Sequence, residues 1–196
     1  MIVDISHASE RSFYDVLAAS KAPIIASHSS VRAVCDNPRN LTDDQLRALA
    51  KNGGVIQICF LGAYGKTPPV IPEREQAMKE LDAKYGPVRV IRDDAIRMKA
   101  MAERDAINQK YPQVRPTVKD LVDHIDHVKK VIGIDYVGIG TDFDGGGGIV
   151  GCDDVSGMIH VTEELIRRGY TDREIGKIWG GNFFRVFEKV IALAAK

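Results

Sequence analysis

The chain of 196 residues lacks several features that mark particular classes of protein. It has no excess of either charge, because 27 Lys and Arg residues balance 27 Asp and Glu residues. A nucleic-acid binder needs a basic surface to neutralise phosphates, so this balance argues against that class. No run of about 18 apolar residues is present, so no membrane span is predicted. The sequence does not begin with basic residues followed by an apolar stretch, so no signal peptide is predicted. The cytoplasm is therefore the favoured compartment.

Cysteine and the common catalytic motifs are also scarce. Cys35, Cys59 and Cys152 are odd in number and widely spaced, which predicts buried thiols rather than a disulfide framework or a cysteine zinc site. The sequence has no G-x-S-x-G elbow of a serine hydrolase and no G-x-x-x-x-G-K-[ST] phosphate loop. The run Gly145–Gly148 is therefore interpreted as a flexible loop beside a site rather than a phosphate cradle.

The residues that are present predict an α/β fold. Four short runs rich in Val and Ile have the nearly continuous apolar character of parallel strands that are buried on both faces. These predicted strands are Ile2–Ser6, Pro23–Ser29, Gly54–Phe60 and Tyr136–Phe143. The chain begins directly in the first of them, which predicts that part of the fold lies on its N-terminal side.

Helical patterns alternate with these strands, as expected for right-handed βα units. Capping boxes at Thr42 and Thr171 mark two helix starts, and Gly180-Gly181 predicts a break or bend near the C-terminus. The predicted helices are Ser9–Ala22, Thr42–Gly53, Thr117–Gly133, Asp153–Gly169 and the segment from Thr171 onward.

A charged excursion, residues 61–116, interrupts the alternation. Residues 72–111 hold 17 charged side chains in 40 positions, which predicts a solvated helical insertion, with a partner-binding surface as the alternative. The other 140 residues give about 35 for each of four βα units, close to the roughly 31 of a (β/α)8 barrel. The count favours half a barrel, with a small doubly wound sheet as the other candidate.

Polar residues stand at the ends of three of the four predicted strands: His7, His28 and Asp142. Catalytic groups of a barrel lie at the carboxyl ends of its strands. Two imidazoles from neighbouring strands can bind one zinc, and a nearby carboxylate can move protons. The alternative is that each histidine bonds only to loop backbone. For His124 and His127, which share a helix face, helix-to-loop hydrogen bonding is favoured over a metal site.

Several motifs, in order, resemble the C-terminal half of the renal or membrane dipeptidases, peptidase family M19. They are VDISHAS, APIIASHSSVRAVCDNPRNLTDDQL, NGGVIQICF, DHIDHVKKVIGIDYVGIGTDFDG and GGNFFRVF, and they cover nearly all of the chain outside residues 61–116. The resemblance implies a zinc dipeptidase on a (β/α)8 TIM barrel with two zinc ions. It hydrolyses dipeptides that carry a free C-terminal carboxylate. Residues 1–196 would then supply strands five to eight of that barrel.

The resemblance also implies roles for four residues. His7 and His28 match the histidines that bind the second zinc. Arg39 matches the arginine that holds the substrate carboxylate, and Asp142 matches the residue that protonates the leaving amine. The family's N-terminal half supplies an HxD pair, a bridging glutamate and a further histidine, which have no counterpart here. We therefore expect little activity unless a complementary N-terminal half completes the site, and we expect the open strand edges to favour a homo-oligomer of this chain. The alternative function is a non-catalytic half-barrel assembly module.

Overall fold

The computed structural model describes residues 1–194, and a parallel β-sheet of three strands lies at its centre. The strands are β1 (Ile25–Ser29), β2 (Val55–Cys59) and β3 (Val137–Thr141), hydrogen-bonded in the order β1-β2-β3. Ile56 of β2 is paired with Ala26 on one side and with Val137 on the other. The predicted α/β class with parallel strands is confirmed.

The first predicted strand, Ile2–Ser6, is reduced to a single parallel bridge between Asp4 and Ile25. The N–H of Ile5 donates to the carbonyl of Ile25 at 2.9 Å, so this segment runs beside β1. It cannot continue as a strand, because the N–H of Ala8 turns back to the carbonyl of Ile5 at 2.9 Å. His7 lies inside that turn with a left-handed φ of 68°.

Nine α-helices are present within residues 1–194. Capping boxes at Thr42, Thr117 and Thr171 begin three of them, and Gly53 ends one with a φ of 81°. The helices are α1 (Glu10–Ala19), α2 (Asp43–Asn52), α3 (Gly62–Gly65), α4 (Pro72–Tyr85), α5 (Asp94–Lys110), α6 (Val118–Ile132), α7 (Met158–Arg167), α8 (Asp172–Gly176) and α9 (Asn182–Ala194).

Two local departures distinguish the C-terminal part from the sequence pattern. Helix α7 begins at Met158 rather than near Asp153, because the Asp154 carboxylate accepts from the Ser156 N–H at 2.8 Å and holds a 3₁₀ turn. A π-helical turn, Lys177–Gly181, joins α8 to α9. Gly180 in that turn leaves helical geometry, as the glycine pair predicts.

The hydrophobic core joins the sheet to the helices that follow its strands. An amphipathic stripe on α6 contributes Leu121, Ile125 and Val128, all fully buried. Ile56 and Ile58 of β2 are equally inaccessible. Each such side chain stabilises the fold by about 1.5–3 kcal/mol relative to an exposed one, so this core fixes the ends of the strands in place.

Residues 68–114 form a compact unit of their own, built from α4 and α5. Its buried apolar side chains are Leu81 and Ala100. Lys84 Nζ lies 2.7 Å from a Glu103 carboxylate oxygen, an exposed ion pair between the two helices. Within residues 1–194, no helix is long and apolar enough to cross a membrane.

Candidate active site

Two histidines meet at the carboxyl end of β1. His28 is the fourth residue of that strand, and His7 follows the segment that pairs with it. The centroids of their rings are 5.0 Å apart, with an interplanar angle of 56°. The structure thus brings together the two histidines that the sequence predicts to be neighbours.

Below the rings, Asp4 and Ser27 form a short hydrogen-bond chain to His28. Ser27 Oγ lies 2.8 Å from His28 Nδ1 and donates to Asp4 Oδ2 at 2.5 Å. The N–H groups of Ser27 and Ser6 each donate to Asp4 Oδ1 at 3.0 Å. Burial alone would raise the pKa of Asp4, but the hydrogen bonds from Ser27 and Ser6 outweigh it and lower the pKa. Asp4 is therefore an ionised acceptor.

Arg39 lies beside this pair, on the loop that follows β1. Its Nη2 is 3.5 Å from the carbonyl of His28, and its guanidinium carbon is 5.3 Å from the centroid of the Tyr64 ring. Its Nε is buried and has no hydrogen-bond partner among the described residues. A guanidinium carries five donors. Among the described residues, the hydrogen bond of Arg39 Nη2 to the His28 carbonyl is the one that its guanidinium makes.

The loops that carry Arg39 and Tyr64 are tied together by buried polar side chains. Asn40 Nδ2 donates to the carbonyl of Cys35 at 2.9 Å and to that of Tyr64 at 3.0 Å. These bonds join the loop after β1 to the segment after β2. Residue 39 is therefore placed by its buried neighbour Asn40.

His124 of α6 ties the same two loops from the other side. The N–H of Val31 donates to His124 Nδ1 at 3.0 Å, and His124 Nε2 lies 2.9 Å from the carbonyl of Gly65. Burial lowers the pKa of His124 and keeps the ring neutral. His127 Nε2 lies 2.7 Å from Asp43. Both histidines make the structural hydrogen bonds expected for them.

Asp142 lies directly after β3, with a left-handed φ of 68°. Its Oδ2 is 3.8 Å from Cys59 Sγ. Burial raises the pKa of the Cys59 thiol to about 11. Cys59 therefore stays protonated and places no negative charge beside Asp142. The carboxylate also packs over Gly145, where any Cβ atom would overlap it.

Left-handed backbone is concentrated at this end of the sheet. Within residues 1–194, the non-glycine residues with positive φ are His7, Thr141 and Asp142. Each such conformation costs about 1–3 kcal/mol and persists only where the surroundings impose it, which occurs most often at functional sites. Two of these three residues are site residues predicted from the sequence.

The charges around His7 show that the predicted residues share one environment. Burial, followed by the positive charges of Arg39 and His28, lowers the pKa of His7, while Asp142 and Asp4 act in the opposite direction. The net effect favours a neutral imidazole, the form that binds metal ions.

A profile of the membrane dipeptidase family, peptidase family M19, matches residues 1–196. The chain belongs to this family. Among its curated relatives, dipeptidase ataJ from Aspergillus terreus is 35% identical over all 196 residues, which span 37% of that protein. Dipeptidase 3 from Rattus norvegicus is 32% identical over 97% of this chain and 30% of its own length. This M19 chain thus spans about a third of the length of these curated relatives.

A solved structure gives the same result for the fold. The probable dipeptidase PvdM from Pseudomonas aeruginosa superposes with a TM-score of 0.80 at 36% identity, covering 97% of this chain and 50% of that one. The M19 chain therefore has the α/β fold of its family over nearly all its length.

His7 and His28 are the two imidazoles that this M19 chain places side by side. Within residues 1–194, no group of three or more His, Cys, Asp or Glu side chains is arranged to hold a metal ion. A zinc site needs three or four protein ligands. The two imidazoles fit zinc in their donor chemistry and in their 5.0 Å ring separation, and they supply part of a ligand set.

Three residues of the site escape a motif-based search: Asp4, Ser27 and Gly145. Asp4 and Ser6 alternate along an extended segment, and this spacing of two could have placed both on the face that meets β1. Ser27 stands next to His28 and gives no signal of its own. Gly145 is recognisable only once the Asp142 carboxylate is seen to occupy its Cβ position.

Proposed function

We propose that this chain is the C-terminal half of a zinc-dependent dipeptidase that hydrolyses dipeptides with a free C-terminal carboxylate. The observation that carries the proposal is the meeting of His7 and His28 beside the guanidinium of Arg39. Membership of the M19 family supports it. A metallopeptidase from Rhodobacter sphaeroides, which superposes on this chain with a TM-score of 0.68 at 25% identity, was solved with a phosphinate mimic of the dipeptide L-Ala-D-Ala.

His7 and His28 are the residues that would hold zinc in this half of the site. A bound zinc supplies Lewis-acid polarisation of the scissile carbonyl. The remaining ligands, including those of the second ion of a complete family site, would come from the N-terminal half. This assignment explains why the chain presents two converging imidazoles without a third ligand among residues 1–194.

Arg39 and Asp142 would act on the substrate itself. Arg39 carries a guanidinium, whose parallel N–H donors match the geometry of a carboxylate, and its Nη2 lies 3.5 Å from the carbonyl of the proposed ligand His28. Asp142 would hold the proton that passes to the leaving amine. Its protonated neighbour Cys59 brings no competing charge to that position.

In the fold we propose, the chain supplies strands five to eight of a (β/α)8 barrel. Four extended segments run parallel to one another, as four consecutive barrel strands would. They are, in order, the segment that contains Asp4, then β1, β2 and β3. Half a barrel leaves open strand edges, which are templates for pairing. Complementation by an N-terminal half, or association of two copies, would cover them.

The second candidate is a non-catalytic half-barrel module that assembles with itself or another chain. The exposed apolar side chains of α9 favour it. Phe184, Phe187 and Ile191 lie along one helix face and are 59%, 41% and 53% exposed. Such a stripe is typical of surfaces that become buried on association.

Zinc titration combined with native mass spectrometry and a dipeptidase assay separates the two candidates. For the chain alone we expect weak zinc binding, association into oligomers, and little turnover. With the missing half supplied, we expect zinc-dependent hydrolysis that Arg39→Lys weakens mainly through KM for substrates with a free C-terminus. Turnover of about 10 s⁻¹ from a zinc-loaded monomer of this chain would refute the proposal that the chain carries only half of the active site. No zinc-dependent hydrolysis in the completed assembly would favour the module.

A further inference from the structure

We infer that Asp4 and Ser27 are positioning residues that fix His28 in the tautomer with hydrogen on Nδ1 and a free lone pair on Nε2. The value of this device to the protein rests on the proposed function, since zinc requires such a lone pair. The tautomer itself follows from the hydrogen bonds alone.

The first step concerns the carboxylate of Asp4. Oδ1 accepts two backbone N–H groups at 3.0 Å, from Ser27 and Ser6, and these bonds favour the ionised form. An ionised carboxylate only accepts hydrogen bonds. Oδ2 lies 2.5 Å from Ser27 Oγ, so the Ser27 hydroxyl must donate to it. At that distance two oxygens without a hydrogen between them would repel each other.

The second step follows from the single hydrogen of a hydroxyl group. Ser27 donates that hydrogen to Asp4, so toward His28 the Ser27 oxygen can only accept. His28 Nδ1 lies 2.8 Å from this oxygen and must therefore carry the hydrogen. In a neutral imidazole the other nitrogen then has the lone pair. His28 Nε2 is left as the basic atom of the ring.

The backbone holds the ring in the same orientation. The N–H of His28 donates to Ser6 Oγ at 3.0 Å, so the strand that carries His28 is fixed to the segment that carries Asp4. Metal-binding histidines commonly donate their second N–H to a carboxylate or carbonyl, which orients the ring and raises its basicity. Here the donation passes through one hydroxyl.

His124 provides an internal comparison, because its contacts fix the opposite tautomer. The Val31 N–H donates to His124 Nδ1 at 3.0 Å, so that nitrogen has the lone pair. Its Nε2 then carries hydrogen and donates to the Gly65 carbonyl at 2.9 Å. Two histidines of one chain should therefore show opposite ring protonation in the same spectrum.

The test is long-range ¹H–¹⁵N NMR of the zinc-free, ¹⁵N-labelled chain above the pH at which imidazoles protonate. The five histidines can be assigned by single substitutions. We expect His28 as the Nδ1–H form and His124 as the Nε2–H form. In Ser27→Ala and Asp4→Asn, His28 should change to a mixture or to the Nε2–H form, while His124 stays unchanged and reports an intact fold. Ser27→Thr, which keeps the hydroxyl, should restore the wild-type pattern.

An Nε2–H form of His28 in the wild type, or no change in Ser27→Ala, would overturn the inference. Zinc affinity, measured by competition with a chelator, gives a second readout. Removing the group that accepts the second N–H of a metal-binding histidine typically weakens metal binding about 10- to 100-fold. We expect zinc affinity to fall by that factor in Ser27→Ala. Equal zinc affinity in Ser27→Ala and wild type would contradict the positioning role but leave the proposed function standing. Correct tautomers with no zinc binding in the completed assembly would contradict the proposed function alone.

Discussion

Two polar clusters of this chain differ in how completely their groups are paired. Around Arg168, which links α6 to α7, donors and acceptors match: its guanidinium meets the carboxylates of Glu164, Asp123 and Asp126 and the carbonyl of Lys119. At the carboxyl end of the sheet, His28 Nε2 is left free and Arg39 Nε has no partner among the described residues. Full pairing characterises the Arg168 cluster as structural, whereas the unpaired His28 Nε2 can still accept a ligand; the unpaired Nε of Arg39 is shared by Arg32, Arg74 and Arg185 and does not by itself distinguish the site.

The electrostatics follow the same division. In the Arg168 cluster, the hydrogen bond from Arg167 lowers the pKa of Glu164 to about 2, against an opposing effect of burial, and Arg168 adds to the lowering. The carboxylate there is fully committed to its neighbours. In the site, the Asp142 carboxylate lies 3.8 Å from the Cys59 thiol, whose pKa burial raises to about 11, so this neighbour is uncharged.

The largest expected effect comes from Asp142→Asn in a catalytically active, completed enzyme. A positioned acid or base contributes about 10²–10⁴ in rate, so kcat should fall by at least the lower figure. Asp144→Asn is the matched control, because Asp144 is an exposed carboxylate two residues along the same loop. A loss below tenfold for Asp142→Asn would show that the proton goes elsewhere.

Removal of a fully paired group should affect stability instead. His124→Ala leaves the Val31 N–H and the Gly65 carbonyl buried without a partner, at about 1–3 kcal/mol each. We expect the free energy of unfolding, measured in urea, to fall by about 2–6 kcal/mol. His127→Ala, which removes one partly exposed bond to Asp43, should cost about 1 kcal/mol or less. Equal losses for the two variants would remove the structural role given to His124.

A smaller effect is expected at Gly145, where the position of the Asp142 carboxylate depends on the lack of a side chain. In Gly145→Ala the new Cβ would overlap the Asp142 carboxylate, which can rotate away, so stability should change by no more than about 1 kcal/mol. Displacement of a reacting group by about 1 Å can cost up to 10²-fold, and we expect kcat to fall at least about tenfold.

Gly176→Ala is the control for that variant. Its Cβ would meet no atom within 4 Å, and the helical position favours alanine. Unchanged kinetics in Gly145→Ala would show that Gly145 does not place the carboxylate.

The smallest effect concerns acid stability of the paired cluster. The folded pKa of Glu164, about 2, lies below its ordinary 4.5, so its stabilisation is complete above about pH 4.5 and is lost as the pH falls toward 2. Urea unfolding at about pH 6 and about pH 3 should show a larger acid-induced loss for wild type than for Glu164→Gln. The exposed Glu163→Gln should match wild type, and identical pH dependence in all three proteins would contradict the assignment.

Local signals explain which parts of the fold were predictable. The capping boxes at Thr42, Thr117 and Thr171 involve neighbours in the chain, so the sequence predicts those helix starts correctly. The end of the first strand was not predictable, because the left-handed turn at His7 carries no glycine or proline to announce it. The approach of His7 to His28 followed from parallel pairing, whereas the overlap between Gly145 and Asp142 depends on tertiary packing.

The tie made by His124 has a consequence for ligand binding. A loop that becomes ordered only in the complex costs affinity, about 0.5–1.5 kcal/mol for each side chain that is immobilised. Because His124 and Asn40 already join the loops that carry Arg39 and Tyr64, this entropy is lost when the chain folds rather than when a ligand arrives. The amide protons of Val31 and Leu41 should accordingly exchange with solvent only through unfolding of the core, and an anionic ligand meets an arginine loop that is already rigid.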